Sequence, residues 1–470
     1  LALSACAVGP DFQRPPAPAE RTYTREATVE TSAPGGESQR FDVGREVPAA
    51  WWTALNSPAL DALVSRALAQ NPGLEAARAT LRRNQDSLRA GYGVFLPQFD
   101  GRAGVTRERT SAAPGLLPSN TFNLFTLSGT VSYALDLWGG ERRQVEALQA
   151  DVDAQRYTVA GAVIMLAGNV VDAAVAKAAY RDEIDATKVT LALLGEQDRI
   201  AKAQATAGTE PYSNVLSLES QMASTAASIP PLEEKIDQAS HLLAALSGLS
   251  PAAFDGETPR LEELHLPRDV PLTLPATLVR QRPDILVAEA ELHAANAAIG
   301  VATAAMLPNL TLSGSLGVGS TSLSELANPA STLWSLGAGL TQPLFHGGTL
   351  YFEQRAAVDA RDAAAAQYRQ TVLAAFEQVA DALRALAHDA DAVAAQASAV
   401  DTAEHALRLL QANYEAGIAT YLQVLVADSQ YLQAKTGYVE AVAQRLQDTV
   451  ALCVALGGGW SRSADAPAAR

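Results

Sequence analysis

Aromatic residues make up only 6% of this 470-residue chain, with three methionines and two cysteines. Much of the 48% apolar content is alanine. A large core is possible, but its side chains are small, which favours close-packed helices over a bulky globular interior. The two cysteines, Cys6 and Cys453, lie at opposite ends of the chain, so a disulfide framework is not expected. No run of 18 or more apolar residues occurs: the best, Ala160 to Val171, is broken by Asn169 and followed by Asp172. A transmembrane helix is therefore not expected, and any membrane-spanning part must be a closed β-barrel. Basic residues are in the minority, 35 Lys and Arg against 51 Asp and Glu, for a net charge of −16. Such a chain repels phosphate backbones, which argues against nucleic acid as a partner.

Catalytic signals are missing as well. The six histidines (His241, His265, His293, His346, His388 and His405) show neither HExxH nor zinc-finger spacing. Gly457-Gly458-Gly459 is not followed by Lys and a hydroxyl residue. It reads as a helix stop rather than a phosphate loop. Acidic pairs such as Glu233-Glu234 read as solvated helix faces. Cys453 shares an apolar stripe with Val439, Val442, Leu446 and Val450 and reads as a small core residue. No enzyme activity, metal or cofactor is expected.

What the chain does have is an internal repeat, with a period of roughly 210 residues. The stretch from Gly208 to Gln221 lies over Gly417 to Gln430, with six identities and no gap. Leu96-Pro97 lies over Leu307-Pro308, and Asn71-Pro72 over Arg282-Pro283. Leu137-Trp138-Gly139-Gly140 lies over Phe345-His346-Gly347-Gly348 with a small shift. Each half reads as helix, strand, strand, long helix, helix.

The strands alternate with period two. Phe125, Leu127, Val131, Tyr133 and Leu135 share one face, and Thr126, Ser128, Thr130 and Ser132 the other. The second half repeats this with Leu310, Leu312, Leu316 and Val318 against Thr311, Ser313 and Ser315. Phe99, Ala103 and Val105 alternate with Gln98, Asp100 and Arg102, and Trp334, Leu336, Ala338 and Leu340 with Ser335 and Thr341. Apolar outside and polar inside is the pattern of a membrane barrel wall, and strands of about 10–13 residues suit a tilted crossing. A soluble hairpin with one buried face gives the same alternation. Four strands cannot close a barrel, so the outward faces call for several chains or a sandwich.

No proline occurs from Glu141 to Ala207 or from Leu350 to Ala416. A continuous helix over either stretch would span ~100 Å. Heptad seams run through Val159, Val163, Leu166 and Val170, and through Val372, Phe376, Val379, Leu383 and Leu386. Gly208 and Gly417 follow as left-handed stop residues. The chain thus divides into an N-terminal tether at 1–50, repeats at 51–265 and 266–458, and a flexible tail at 459–470. Expected β-hairpins lie at about 94–136 and 307–345, and helical hairpins at about 140–248 and 349–456.

Leu3-Ser4-Ala5-Cys6 resembles a bacterial lipobox, whose cysteine is lipidated after cleavage. Pro10, Pro15, Pro16 and Pro18 then read as an extended tether. In resembling lipoproteins an Asp directly after the cysteine marks inner-membrane retention; Ala7 here implies the outer membrane. The layout as a whole, from Cys6 to about Gly459, resembles the TolC-like outer membrane factors of the NodT/OprM lipoprotein type. The resemblance is carried by the lipobox with Gly9-Pro10-Asp11-Phe12, by Trp51-Trp52 before Leu60, by Arg282-Pro283-Asp284-Ile285, and by Tyr414 through Leu425.

That resemblance implies a mainly α fold with a transmembrane β portion, assembled as a homotrimer with a twelve-stranded barrel and a periplasmic tunnel of helices. It implies the exit duct of a tripartite, RND-type efflux system for drugs or other toxic compounds. The implied partners are a periplasmic adaptor, an inner-membrane transporter and outer-membrane lipid. Gly208, Thr209 and Gly417 match the tip turns where family members meet the adaptor. Tyr414 matches a tyrosine that helps hold the closed end, and Leu422 matches a constricting apolar ring. Where many relatives carry an acidic ring residue this chain has Val426. The nearest acid, Asp428, lies about 200° round a helix from it. An apolar constriction that gates by closeness and dewetting is therefore expected. Two other readings stay open: a TolC-like duct for type I protein secretion, and a periplasmic coiled-coil structural or adhesive protein.

Overall fold

The computed structural model describes residues 7–25, 30–31, 37–110, 120–255, 257–458 and 460. Cys6, the loop at 111–119 and all of the C-terminal tail except Trp460 lie outside the described residues.

In chain order the elements are β1 (Glu30–Thr31), β2 (Gln39–Val43), α1 (Pro58–Gln70), α2 (Pro72–Gly91), β3 (Gln98–Thr110) and β4 (Asn120–Leu135). Then come α3 (Gly140–Thr206), α4 (Tyr212–Ala226), α5 (Ile229–Leu246), β5 (Asp269–Leu272), α6 (Pro275–Gln281) and α7 (Pro283–Ala304). The last are β6 (Asn309–Ser320), β7 (Thr332–Thr341), α8 (Thr349–Glu415) and α9 (Tyr421–Ala455). The long helices α3 and α8 have 67 residues each. Their return legs differ. Pro230 and Pro231 sit in the first turn of α5, where their missing N–H groups cost nothing, and the chain breaks into two helices there. α9 has no proline and runs unbroken for 35 residues.

Contacts divide the chain into two compact units, and neither is one repeat. The first comprises the chain up to Pro15, Thr80–Arg156 and Val287–Arg369. The second comprises Pro16–Ala79, Tyr157–Leu286 and the chain from Gln370 onward. Both units take matching pieces of both halves.

In the first unit the sheet order is β3-β4-β6-β7, all antiparallel, so β4 of one repeat pairs with β6 of the other. The registers run without a bulge and align most apolar positions into one face, with Phe122, Leu124 and Leu333 on the other. Phe99 lies opposite Val131, Leu127 opposite Val318, and Leu316 opposite Trp334. These side chains stand open: Phe99 is 79% exposed and Leu336 82%. Among the described residues, β3 and β7 have no neighbour on their outer edges.

The N-terminal residues, expected as a tether, are extended but docked. Val8 N–H donates to the Trp138 carbonyl at 2.8 Å. The Arg143 guanidinium donates to the Val8 carbonyl and, at 2.6 Å, to the Asp11 carboxylate. Phe12 stacks on His293 with centroids 4.3 Å apart, and His293 hydrogen-bonds Glu146. Gly9 is required: its φ is +87°, and a Cβ would lie 2.5 Å from Gly300 Cα. Phe12 is thus half-buried against α7, while Asp11, its side chain exposed, is tied to the start of α3 by Arg143.

The second unit holds the apolar core. One cluster joins Trp51, Trp52, Leu60 and Val64 to Val170 and Val171 of α3 and to Leu446 and Val450 of α9. Another joins Phe41, Val270 and Leu278 to Val379, Leu383 and Leu386 of α8. Trp52 Nε1 donates to Asp61 at 2.9 Å. Cys453 lies in the first cluster, and burial pushes its thiol up to about 12. Arg282, 7% exposed, donates to the carbonyls of Ala455 and Ala375 and so ties the start of α7 to α8 and to the end of α9. Its neighbour Asp284 accepts from it at 2.8 Å. α3 and α7 contain stretches long and apolar enough to cross a bilayer, but more than half of each stretch is buried inside the protein, as in core helices.

Candidate functional site: the helical tips and the open sheet

α3 and α8 end in the same way. Thr209 N–H donates to the Gln204 carbonyl and Gly208 N–H to that of Ala205. Ile418 N–H donates to Asn413 and Gly417 N–H to Tyr414. This paired 6→1 and 5→2 arrangement needs a left-handed residue, and both glycines have φ of +74°. Gly248 and Gly457 end α5 and α9 with the same bonds. The surroundings differ. A Cβ on Gly248 would lie 2.3 Å from the Gln70 carbonyl oxygen, whereas nothing lies within 4 Å of one on Gly208 or Gly417. The tip glycines answer to torsion alone, and the outsides of both turns are open. The Thr209 hydroxyl also donates to the Gln204 carbonyl.

Behind the turns, Leu194, Val215, Leu218, Leu407, Tyr414, Tyr421 and Val424 form a small core. Tyr414 is 6% exposed, and its hydroxyl donates to Gln204 Oε1 at 2.8 Å, stitching the end of α8 to the end of α3. Its ring meets that of Tyr421 edge-on at 6.3 Å. The Tyr421 hydroxyl is buried without a hydrogen-bond partner among the described residues. Burial raises both phenol pKa values, helped at Tyr421 by the Asp428 carboxylate. Asp428 is itself buried. Gln197 donates to it at 2.7 Å, and burial pushes its carboxyl up to about 6 against that bond. Nearer the surface, Lys202 bridges Asp198 at 2.7 Å and Glu219 at 2.9 Å.

Leu422 and Val426 lie outside this core, one helical turn apart, 65% and 49% exposed. Ile418 is 77% exposed. Among the expected site residues, Tyr414 is therefore buried structure, the glycines and Thr209 are open turns, and Leu422 and Val426 form an apolar face pointing away from Asp428. Sequence reading missed Gln197, Gln204 and Lys202. A faint signal existed for one: Gln204 precedes the left-handed Gly208 by four residues, as Asn413 precedes Gly417.

The repeat also hides an asymmetry. Tyr212 aligns with Tyr421, yet Tyr212 is 61% exposed and Tyr421 5%. Tyr421 packs on Tyr414, whose counterpart in the first half is Ala205, so Tyr212 has no ring to bury against. Glu219 aligns with Asp428 and differs in the same sense.

A single-faced four-stranded antiparallel sheet attached to paired long helices with open left-handed tips defines a TolC-like outer membrane channel. The chain belongs to the outer membrane efflux protein family, whose model matches residues 63–249 and 274–458, once over each repeat. It is 30% identical to the pyoverdine export outer membrane protein OpmQ of Pseudomonas putida over 89% of each chain. It is 28% identical to the toluene efflux pump outer membrane protein TtgF of the same species, over 99% of this chain and 97% of the relative. The solved outer-membrane channel OprN superposes with a TM-score of 0.89 at 27% identity, covering 97% of this chain and 100% of that one. The protein is an efflux channel of the Gram-negative outer membrane.

Proposed function

We propose that the protein works as a homotrimeric exit duct of a tripartite, RND-type pump, passing small toxic molecules outward without chemistry of its own. One observation carries this reading: an apolar face that runs across four strands, with two edges free among the described residues. Free edges and an open apolar face are stable only if other strands complete the wall. Three copies supply twelve strands, enough for a barrel with an aqueous lumen. The relatives' printed roles, pyoverdine export and toluene efflux, support small molecules as cargo. Protein secretion has no specific support from any residue described above.

In this reading a periplasmic adaptor docks at the open turns of Gly208, Thr209 and Gly417, and the inner-membrane transporter supplies energy. Leu422 and Val426 face the lumen and form its narrowest ring, closing it by exclusion of water. Tyr414 holds that ring in place through Gln204. Cys6 carries the lipid. Single-channel recording from the purified protein in planar bilayers, with its oligomer mass measured in detergent, tests the duct. Discrete steps from a trimer are expected; a monomer that never inserts would overturn the reading. Leu422→Ser should raise the closed-state conductance, and an unchanged value would remove Leu422 from the constriction. Mass spectrometry of the mature N-terminus should show an acylated Cys6.

A further inference from the structure

The outward face of the sheet changes character near the β3–β4 hairpin. Along β4 the lipid-facing positions run Leu135, Tyr133, Val131, Gly129, Leu127 and Phe125, then Asn123 and Thr121. Ten strand steps from Leu135 to Phe125 cover ~34 Å along the strand. At a tilt near 40° that is ~26 Å of height, the thickness of a membrane barrel's apolar band. Beyond it, β3 offers Arg107 opposite Asn123 and Arg109 opposite Thr121. Their positions have the parity of Phe99, Ala103 and Val105, so both Cβ atoms stand on the lipid face. Glu108 lies between them with the parity of Thr106 and Thr110 and faces the other way. Alternation in Thr106-Arg107-Glu108-Arg109-Thr110 thus separates the charges, cations to the lipid side and the anion to the lumen side. Both arginines are exposed, and neither makes an ion pair among the described residues. A chain with net charge −16 holds two unneutralised guanidiniums just above its apolar band.

We propose that Arg107 and Arg109 form a docking surface for the phosphate groups of outer-leaflet lipid. This rests on reading the sheet as a barrel wall whose hairpin end faces outward. At that height the neighbouring molecules are the phosphorylated glycolipids of the outer leaflet. The planar guanidinium matches phosphate oxygens two at a time and is weakly hydrated, so it suits this half-dry boundary better than a lysine would. Alternate residues on one strand are ~7 Å apart, which lets two guanidiniums share one headgroup or bridge two. A trimer would carry six such cations in a collar.

The test uses full-length protein in detergent, titrated with bisphosphorylated lipid A, with chemically dephosphorylated lipid A and with inorganic phosphate, and followed by native mass spectrometry. The wild type should retain the bisphosphorylated lipid about tenfold better than the dephosphorylated one, a ratio that shrinks as salt rises. R107Q/R109Q should lose that preference, while R102Q, altered on the lumen side of the same strand, should keep it. Equal retention of both lipids by the wild type, or an unchanged R107Q/R109Q, would overturn the proposal. Displacement of the lipid by inorganic phosphate at equal concentration would also overturn it, because the surface would then be a simple anion site. Heat-modifiable gel migration and conductance steps are read on the same preparations. Their loss in the wild type would remove the barrel reading and this surface together; their presence without lipid preference would remove the surface alone.

Discussion

Tyr414 and Tyr421 stand in one cluster yet should respond oppositely to loss of the hydroxyl. Tyr414→Phe breaks the bond to Gln204, worth about 1 kcal/mol, and should speed amide exchange in the last turns of α3 and α8. Tyr421→Phe removes a buried hydroxyl that has no partner among the described residues, so tip stability should hold or rise. Equal losses in both variants would mean that ring packing alone matters. Asp428 gives the tip a pH dependence of definite sign. Its folded pKa, raised from 3.8 to about 6, makes the neutral form the favoured one in the folded tip. The stability it contributes is full below about pH 4 and is lost as pH rises through about 6. Tip protection from exchange should therefore fall between pH 4 and 7 in the wild type and change less in Asp428→Asn. A flat wild-type profile would show the carboxylate to be better compensated than its single bond to Gln197 suggests.

Among the elements, the helix stops separate torsion from crowding. Gly208→Ala and Gly417→Ala put a side chain into a left-handed turn with free space around it, a cost of about 1 kcal/mol. Gly248→Ala meets the same torsional cost and also drives a methyl into the Gln70 carbonyl. Thermal unfolding should show a small shift for the first two and a far larger one, or failure to fold, for the third. The strands make a similar point about context. Leu336 lies mid-band on the apolar face, 82% exposed in the single chain. In a soluble sheet Leu336→Arg would be harmless, whereas at the centre of a bilayer it should cost about 2–4 kcal/mol. The yield of heat-modifiable protein from refolding into vesicles distinguishes the two.

For the whole molecule, the second unit carries half-buried acids that act on stability. Burial pushes Asp172 up to about 7, helped by the Asp448 carboxylate, and pushes Asp389 up to about 7, with a hydrogen bond to Asp448 adding to it and Arg445 opposing. Both prefer to be neutral in the fold. Their contribution is therefore full below about pH 4 and lost as pH rises through about 7. The assembled protein should melt higher at pH 5.5 than at pH 8, and Asp172→Asn with Asp389→Asn should narrow that gap. A gap unchanged by both substitutions would assign it to other groups.

Features legible in the residues were those that local physics sets. Period-two alternation in β3, β4, β6 and β7 follows from the pleat, so it marks both a face and its polarity before any partner is known. The proline-free spans of α3 and α8, and the glycines that stop them, follow from backbone hydrogen bonding and torsion. The twofold repeat predicted matching turns, and it extended to the φ values at Gly208 and Gly417. Only the tertiary structure decided which member of a matched pair is buried. Tyr421 is inside and Tyr212 outside because Tyr414 is present on one side and Ala205 on the other. It decided that β4 pairs with β6, that Asp11 meets Arg143, and that Arg282 caps the end of α9. Each of these joins residues more than a hundred positions apart. No periodicity can encode such a meeting, because its energy depends on the one partner that folding brings within reach.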